Sequence, residues 1–152
     1  YDVISFATHA EVFGSFKDFN EPFLVLSPPK KSSQNDDGLL TTSEISELDL
    51  DAELVILSAC NTSSKSNKYA AGFSGLINSF FAAGSKSVIA THWPVEDEAG
   101  YLLMSETMKK VINLDQSISV ALQNTKIEFI KGKYGEKFKK PLFWAPYVYV
   151  GL

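Results

Sequence analysis

Apolar positions fall in short blocks whose spacing changes along the chain. Residues 2–8 (Asp-Val-Ile-Ser-Phe-Ala-Thr) read as a strand already under way at the first position, with no lead-in loop or cap before it. That start implies a domain cut from something longer. Residues 23–26 (Phe-Leu-Val-Leu) form a brief apolar run ended by Ser27-Pro28-Pro29, and the polar, turn-rich residues 30–38 read as a surface excursion. Thr41 and Glu44 have the spacing of a capping box and open a short helix to about Leu48. Residues 53–59 are almost continuously apolar, as in a central strand buried on both faces, and Cys60 stands where that strand should end.

Beyond the polar residues 61–68, Phe73, Leu76, Ile77, Phe80 and Phe81 recur at helical spacing within residues 69–83, and Gly84 is placed to close the helix. Residues 86–91 form another strand. Pro94 leads into a helix over residues 95–112, with Glu96, Asp97 and Glu98 in its first turn and Lys109-Lys110 at its end, both matching the helix dipole. A last helix over residues 117–130 places Ile118, Ala121, Leu122, Thr125 and Phe129 on one face, ahead of a lysine-rich loop and an aromatic strand over residues 145–150. Strands alternating with helices predict an α/β domain built on a mostly parallel sheet with helices on both faces. In such sheets functional groups gather beyond the carboxyl ends of the strands. His9, Cys60 and His92 each follow a predicted strand, so parallel strands would bring all three to one rim.

Composition narrows the chemistry. A chain of 152 residues, 45% hydrophobic and 21% charged, can bury a core as one domain over residues 1–152. No apolar run is long enough for a membrane span, and the N-terminus lacks the basic start and apolar stretch of a signal peptide. A net charge of -4 with scattered lysines argues against nucleic acid. There is one cysteine, there are two histidines, and no arginine occurs. One thiol makes no internal disulfide, and these counts supply no Cys-rich zinc site. A free cysteine and no leader fit the cytoplasm.

A single thiol and two imidazoles invite one sharp reading: a cysteine nucleophile whose thiolate is generated or stabilised by histidine. His9 and Cys60 are 51 residues apart, near the roughly 50-residue His-to-Cys separation of caspases. The bland reading makes Cys60 a small core residue and His9 a hydrogen-bonded strand end; it is the default for an arbitrary pair, and spacing alone leaves both open.

Five co-linear segments carry a family resemblance: Phe6-Ala-Thr-His-Ala10; residues 51–62, which include Leu57-Ser-Ala-Cys-Asn-Thr62; residues 79–90, through the turn at Gly84; Trp93-Pro-Val-Glu-Asp-Glu-Ala99; and residues 143–151. In order and over essentially the whole chain they resemble the CHAT domain, a caspase-like cysteine peptidase often joined to tetratricopeptide repeats. The resemblance implies a caspase-like three-layer α/β fold. It also implies that a strand and helix usual upstream of the histidine strand are missing. It makes Cys60 the nucleophile and His9 its partner in preference to His92, with the backbone N–H groups of Cys60 and Ala10 as the oxyanion hole. Ala10 stands where the family usually has glycine, and it keeps the N–H. The loop after the cysteine reads Asn61-Thr62-Ser63, where relatives commonly carry an acidic residue and Thr-Gly.

Caspases bind a substrate aspartate with arginines, whose rigid fork lysine does not reproduce, and this chain has none. Asp97 corresponds by resemblance to an aspartate of the separase branch that faces a substrate arginine, which implies a basic P1 residue. Acids in a first helical turn are also favoured by the dipole whatever the function.

The expectation is thus a cysteine endopeptidase acting on a protein or peptide substrate. It needs no metal or organic cofactor, and regulation would come from a repeat or sensor domain elsewhere in the full protein. The alternative is a non-catalytic caspase-like module that binds partners. A flavodoxin-like nucleotide binder lacks a glycine-rich phosphate loop. Gly72-Phe-Ser-Gly75 is helix sequence, not a serine-hydrolase elbow. The lysines between 131 and 140 read as a solvated loop or a partner-binding stretch.

Overall fold

The computed structural model describes residues 2–11, 21–31, 33, 37–58 and 67–151, with only the backbone given for 67–72. Cys60 and residues 61–66 lie outside the described residues. The chain divides into two compact units, residues 1–93 with 150–152, and residues 94–149.

The first unit holds a mixed α/β arrangement. Strand β1 (Val3–Phe6) is followed by a two-residue strand β2 (Ala10–Glu11), then β3 (Phe23–Val25) and β4 (Leu39–Thr41). Helix α1 (Thr42–Ser46), strand β5 (Leu54–Leu57), helix α2 (Asn67–Ala82) and strand β6 (Ser87–Thr91) complete the run. With β7 (Tyr147–Gly151), whose last residues belong to this unit, the main sheet has the order β1-β5-β6-β7. The pairings β1 with β5 and β5 with β6 are parallel. This mostly parallel sheet with helices is the predicted fold class, consistent with a caspase-like three-layer architecture.

Local chemistry explains the boundaries. Every residue of β5 and β6 is buried, as continuous apolar runs require. Thr41 and Glu44 form the predicted capping box: the Thr41 N–H donates to Glu44 Oε2 (2.8 Å) and the Glu44 N–H to Thr41 Oγ1 (3.2 Å). After α2, Gly84 takes φ +100°, its N–H bonding the Phe81 carbonyl (3.1 Å) while the Ser85 N–H bonds that of Phe80 (3.0 Å). That is a Schellman closure, in which a side chain at residue 84 would be strained. Phe80 is completely buried, its ring centroid 5.4 Å from that of Phe6 on β1.

The short strands were less legible. Within the brief apolar run at 23–26, Phe23 and Leu24 are buried, and β3 is the middle of an antiparallel sheet ordered β2-β3-β4. Strands of two and three residues carry too little alternation to register as a pattern.

In the second unit, α3 (Asp97–Leu114) packs on α4 (Ile118–Ile130), followed by a 3₁₀ turn (Glu136–Lys139) and a short α5 (Pro141–Trp144). Ala121, Leu122, Thr125 and Phe129 are buried, as the helical spacing predicts. The lysine placement needs correction. Helix α3 runs on to Leu114, so Lys109 and Lys110 precede its last turn, which holds no base. Lys110 turns inward instead and donates to Glu128 (2.7 Å). Lys133 donates to the same carboxylate (2.9 Å), as does the Tyr134 hydroxyl.

Burial opposes ionisation of Glu128, but those three donors outweigh it and hold the carboxyl down at about 2. A carboxyl depressed on folding adds stability that is complete above its unfolded value near 4.5 and is lost as the pH falls towards about 2. Thermal midpoints should therefore decline across that window, and Glu128→Gln should lower the neutral-pH midpoint while flattening the decline.

Candidate active site

The parallel register sets the rim. Val3 pairs with Leu54 and Phe6 with Leu57, and the Ser58 N–H donates to the Phe6 carbonyl (3.0 Å). His9 and Cys60 are each the third residue beyond a mutually paired position, Phe6 and Leu57. Their 51-residue spacing therefore equals the 51-residue offset between the paired positions Phe6 and Leu57. Leu57 pairs in turn with Ala90, and His92 follows β6 directly.

Each described candidate has a distinct setting. His9 is exposed, but its backbone is fixed: its carbonyl accepts the Val25 N–H (2.8 Å), and the Thr8 hydroxyl donates to the Val25 carbonyl. One residue of β3 therefore grips the His9 segment twice. Ala10 is buried in β2 opposite Leu24. Because the Val25-to-His9 bond lies one residue along, Ala10 and Leu24 form a pair that exchanges no hydrogen bonds. The Ala10 N–H consequently points away from β3, and among the described strands β2 is at the edge of this sheet. His92 is exposed, its ring centroid 4.7 Å from that of Phe73 on α2.

The strand that grips His9 is itself anchored. The Thr42 N–H donates to the Pro22 carbonyl (3.0 Å), and the Glu21 carboxylate accepts from the Thr42 hydroxyl (2.6 Å) and from the N–H and hydroxyl of Ser43 (2.8 Å each). Burial would raise the Glu21 pKa, but these donors keep it below the ordinary carboxylate range. Neither Thr8, Val25 nor Glu21 stands out in the sequence. A threonine just before a strand-end histidine is the only local signal, and its acceptor is a backbone group 17 residues away.

In the second unit Asp97 opens α3 and is exposed. Its neighbours share one cation: Lys137 reaches Glu96 at 2.5 Å and Glu98 at 3.5 Å. Among the described residues Asp97 has no ion pair. No group of three or more histidine, cysteine, aspartate or glutamate residues is placed to hold a metal among the described residues. Nor, among them, is any helix long and apolar enough to cross a membrane.

A mostly parallel central sheet with helices defines the class of domain as mixed α/β. The family model of the CHAT domain matches residues 1–152, and the chain belongs to that caspase-like fold family. No curated protein matches it.

Proposed function

We propose that this domain is a cysteine endopeptidase with Cys60 as nucleophile and His9 as its acid-base partner. The observation that carries this reading is the β1–β5 register, which gives the two residues the same offset beyond paired strand ends. In the first step the Cys60 sulfur bonds to the substrate carbonyl carbon, and His9 holds the thiol proton. The C–N bond then breaks, with that proton passing to the leaving amine. Water, deprotonated by His9, cleaves the resulting thioester, releasing the carboxylic acid and restoring the thiol. The N–H groups of Cys60 and Ala10 would stabilise the oxyanion, and the orientation of the Ala10 N–H away from β3 supports that role.

The test is cleavage of a peptide library by the parent chain, Cys60→Ala and His9→Ala. Loss in both variants supports the dyad; variants that cleave as the parent does overturn it in favour of a partner-binding module. The same reading assigns a protein or peptide substrate, control by a repeat or sensor domain of the full protein, and a reducing cytoplasm where the thiol persists.

Asp97 is proposed to receive a basic P1 side chain, supported by its having no ion pair among the described residues while Lys137 is engaged by Glu96 and Glu98. Asp97→Lys should remove a preference for arginine or lysine at P1, by about 10-fold or more, in a library profile. An unchanged profile would reject the role.

A further inference from the structure

We propose that Thr8 is a positioning residue for His9, acting through β3 without touching substrate; this rests on the Cys60/His9 reading above. The Thr8 hydroxyl donates to the carbonyl of Val25, and the N–H of the same Val25 donates to the carbonyl of His9 at 2.8 Å. The two contacts bracket the peptide that links Thr8 to His9. A backbone held at both ends by one rigid residue leaves the exposed imidazole little freedom beyond its own side-chain rotation.

The bracket also fixes the neighbouring N–H. Val25 bonds His9 as the continuation of the β2–β3 ladder, and that ladder turns the Ala10 N–H away from β3. Removing the Thr8 hydroxyl leaves the Val25 carbonyl without this donor and frees the turn between β1 and β2. β3 gives the bracket a firm base, because Phe23 and Leu24 are buried and Glu21 and Pro22 are tied to the start of α1. Thr8 therefore sets the direction of the base, while His9 carries the proton.

The pH profile of Cys60 alkylation by iodoacetamide tests this in the full chain, comparing the parent with Thr8→Val, Thr8→Ser and His9→Ala. A thiolate stabilised by His9 reacts below the ordinary thiol range, and His9→Ala should shift the profile upward. Thr8→Val should shift it in the same direction, with alkylation near neutral pH slowed about 10-fold, and Thr8→Ser should restore the parent profile. A merely structural contact would change stability without moving the profile. A parent-like profile in Thr8→Val, with a shifted one in His9→Ala, overturns the positioning role and leaves the dyad standing. An unshifted His9→Ala overturns the dyad and the positioning role together. If Thr8→Val does not fold, the smaller Thr8→Ala carries the same comparison.

Discussion

Cys60→Ala should abolish peptide cleavage, a loss of about 10⁴-fold or more, because alanine offers no atom that can form the acyl-enzyme. His9→Ala should cost about 10²- to 10⁴-fold, the usual range for a positioned general base. The asymmetry is physical: a thiol is partly ionised near neutral pH even without its partner, so the histidine variant retains slow attack. Acting as one unit, the two should be far from additive, and the double variant should be about as inactive as Cys60→Ala. Rates in each variant, with circular dichroism to confirm the fold, check all three statements. A double variant markedly slower than Cys60→Ala would mean that His9 acts outside the dyad.

The second large effect falls on stability. Phe80→Ala should destabilise by about 3–5 kcal/mol, since it removes a fully buried ring and leaves a cavity beside Phe6. For a chain of this size that corresponds to a fall in thermal midpoint of about 6–20 °C. Phe6 lies on the strand that ends just before Thr8 and His9, so activity should fall at temperatures where the parent is still fully folded. Tyr101, 71% exposed on α3, is the control. Its replacement by alanine should change stability by less than about 0.5 kcal/mol. Calorimetric melting of the three proteins separates burial from ring size.

What was legible in the sequence follows from how local each signal is. Gly84 and the Thr41/Glu44 box write their own structure within a few residues, and both are formed as read. The apolar run of β5 announces itself because burial on both faces tolerates no polar alternation. Helix α3 outran its expected end by two residues, Asn113 and Leu114, because it stops only where Asp115 takes a left-handed backbone at φ 50°. The antiparallel sheet escaped notice because two- and three-residue strands are stabilised by partners distant in sequence.

The site divides in the same way. His9 came from its place after a strand and its spacing to Cys60, and Ala10 and Asp97 from motif resemblance; these signals name residue types but not their settings. That the Ala10 N–H turns away from β3, and that Val25 grips the His9 turn, depend on a pairing no local pattern encodes. In sequence, His9 lies three residues past Phe6 and Cys60 three past Leu57, the partner of Phe6, whereas His92 lies two past Ala90, the partner of Leu57 on β6.

That register has a consequence for how the chain tolerates change in length. On the proposed reading the 50 residues between His9 and Cys60 need only connect them, whereas the three-residue steps from Phe6 to His9 and from Leu57 to Cys60 set the site. Closing a loop twice as long costs only about 0.6 kcal/mol more. A whole folded insert in the polar connection between β3 and β4 would therefore leave the offset intact, while one extra residue between Phe6 and His9 would move the imidazole by about 3.3 Å. On that reading the interval between histidine and cysteine tolerates insertion, whereas the short distance of each from its own strand does not.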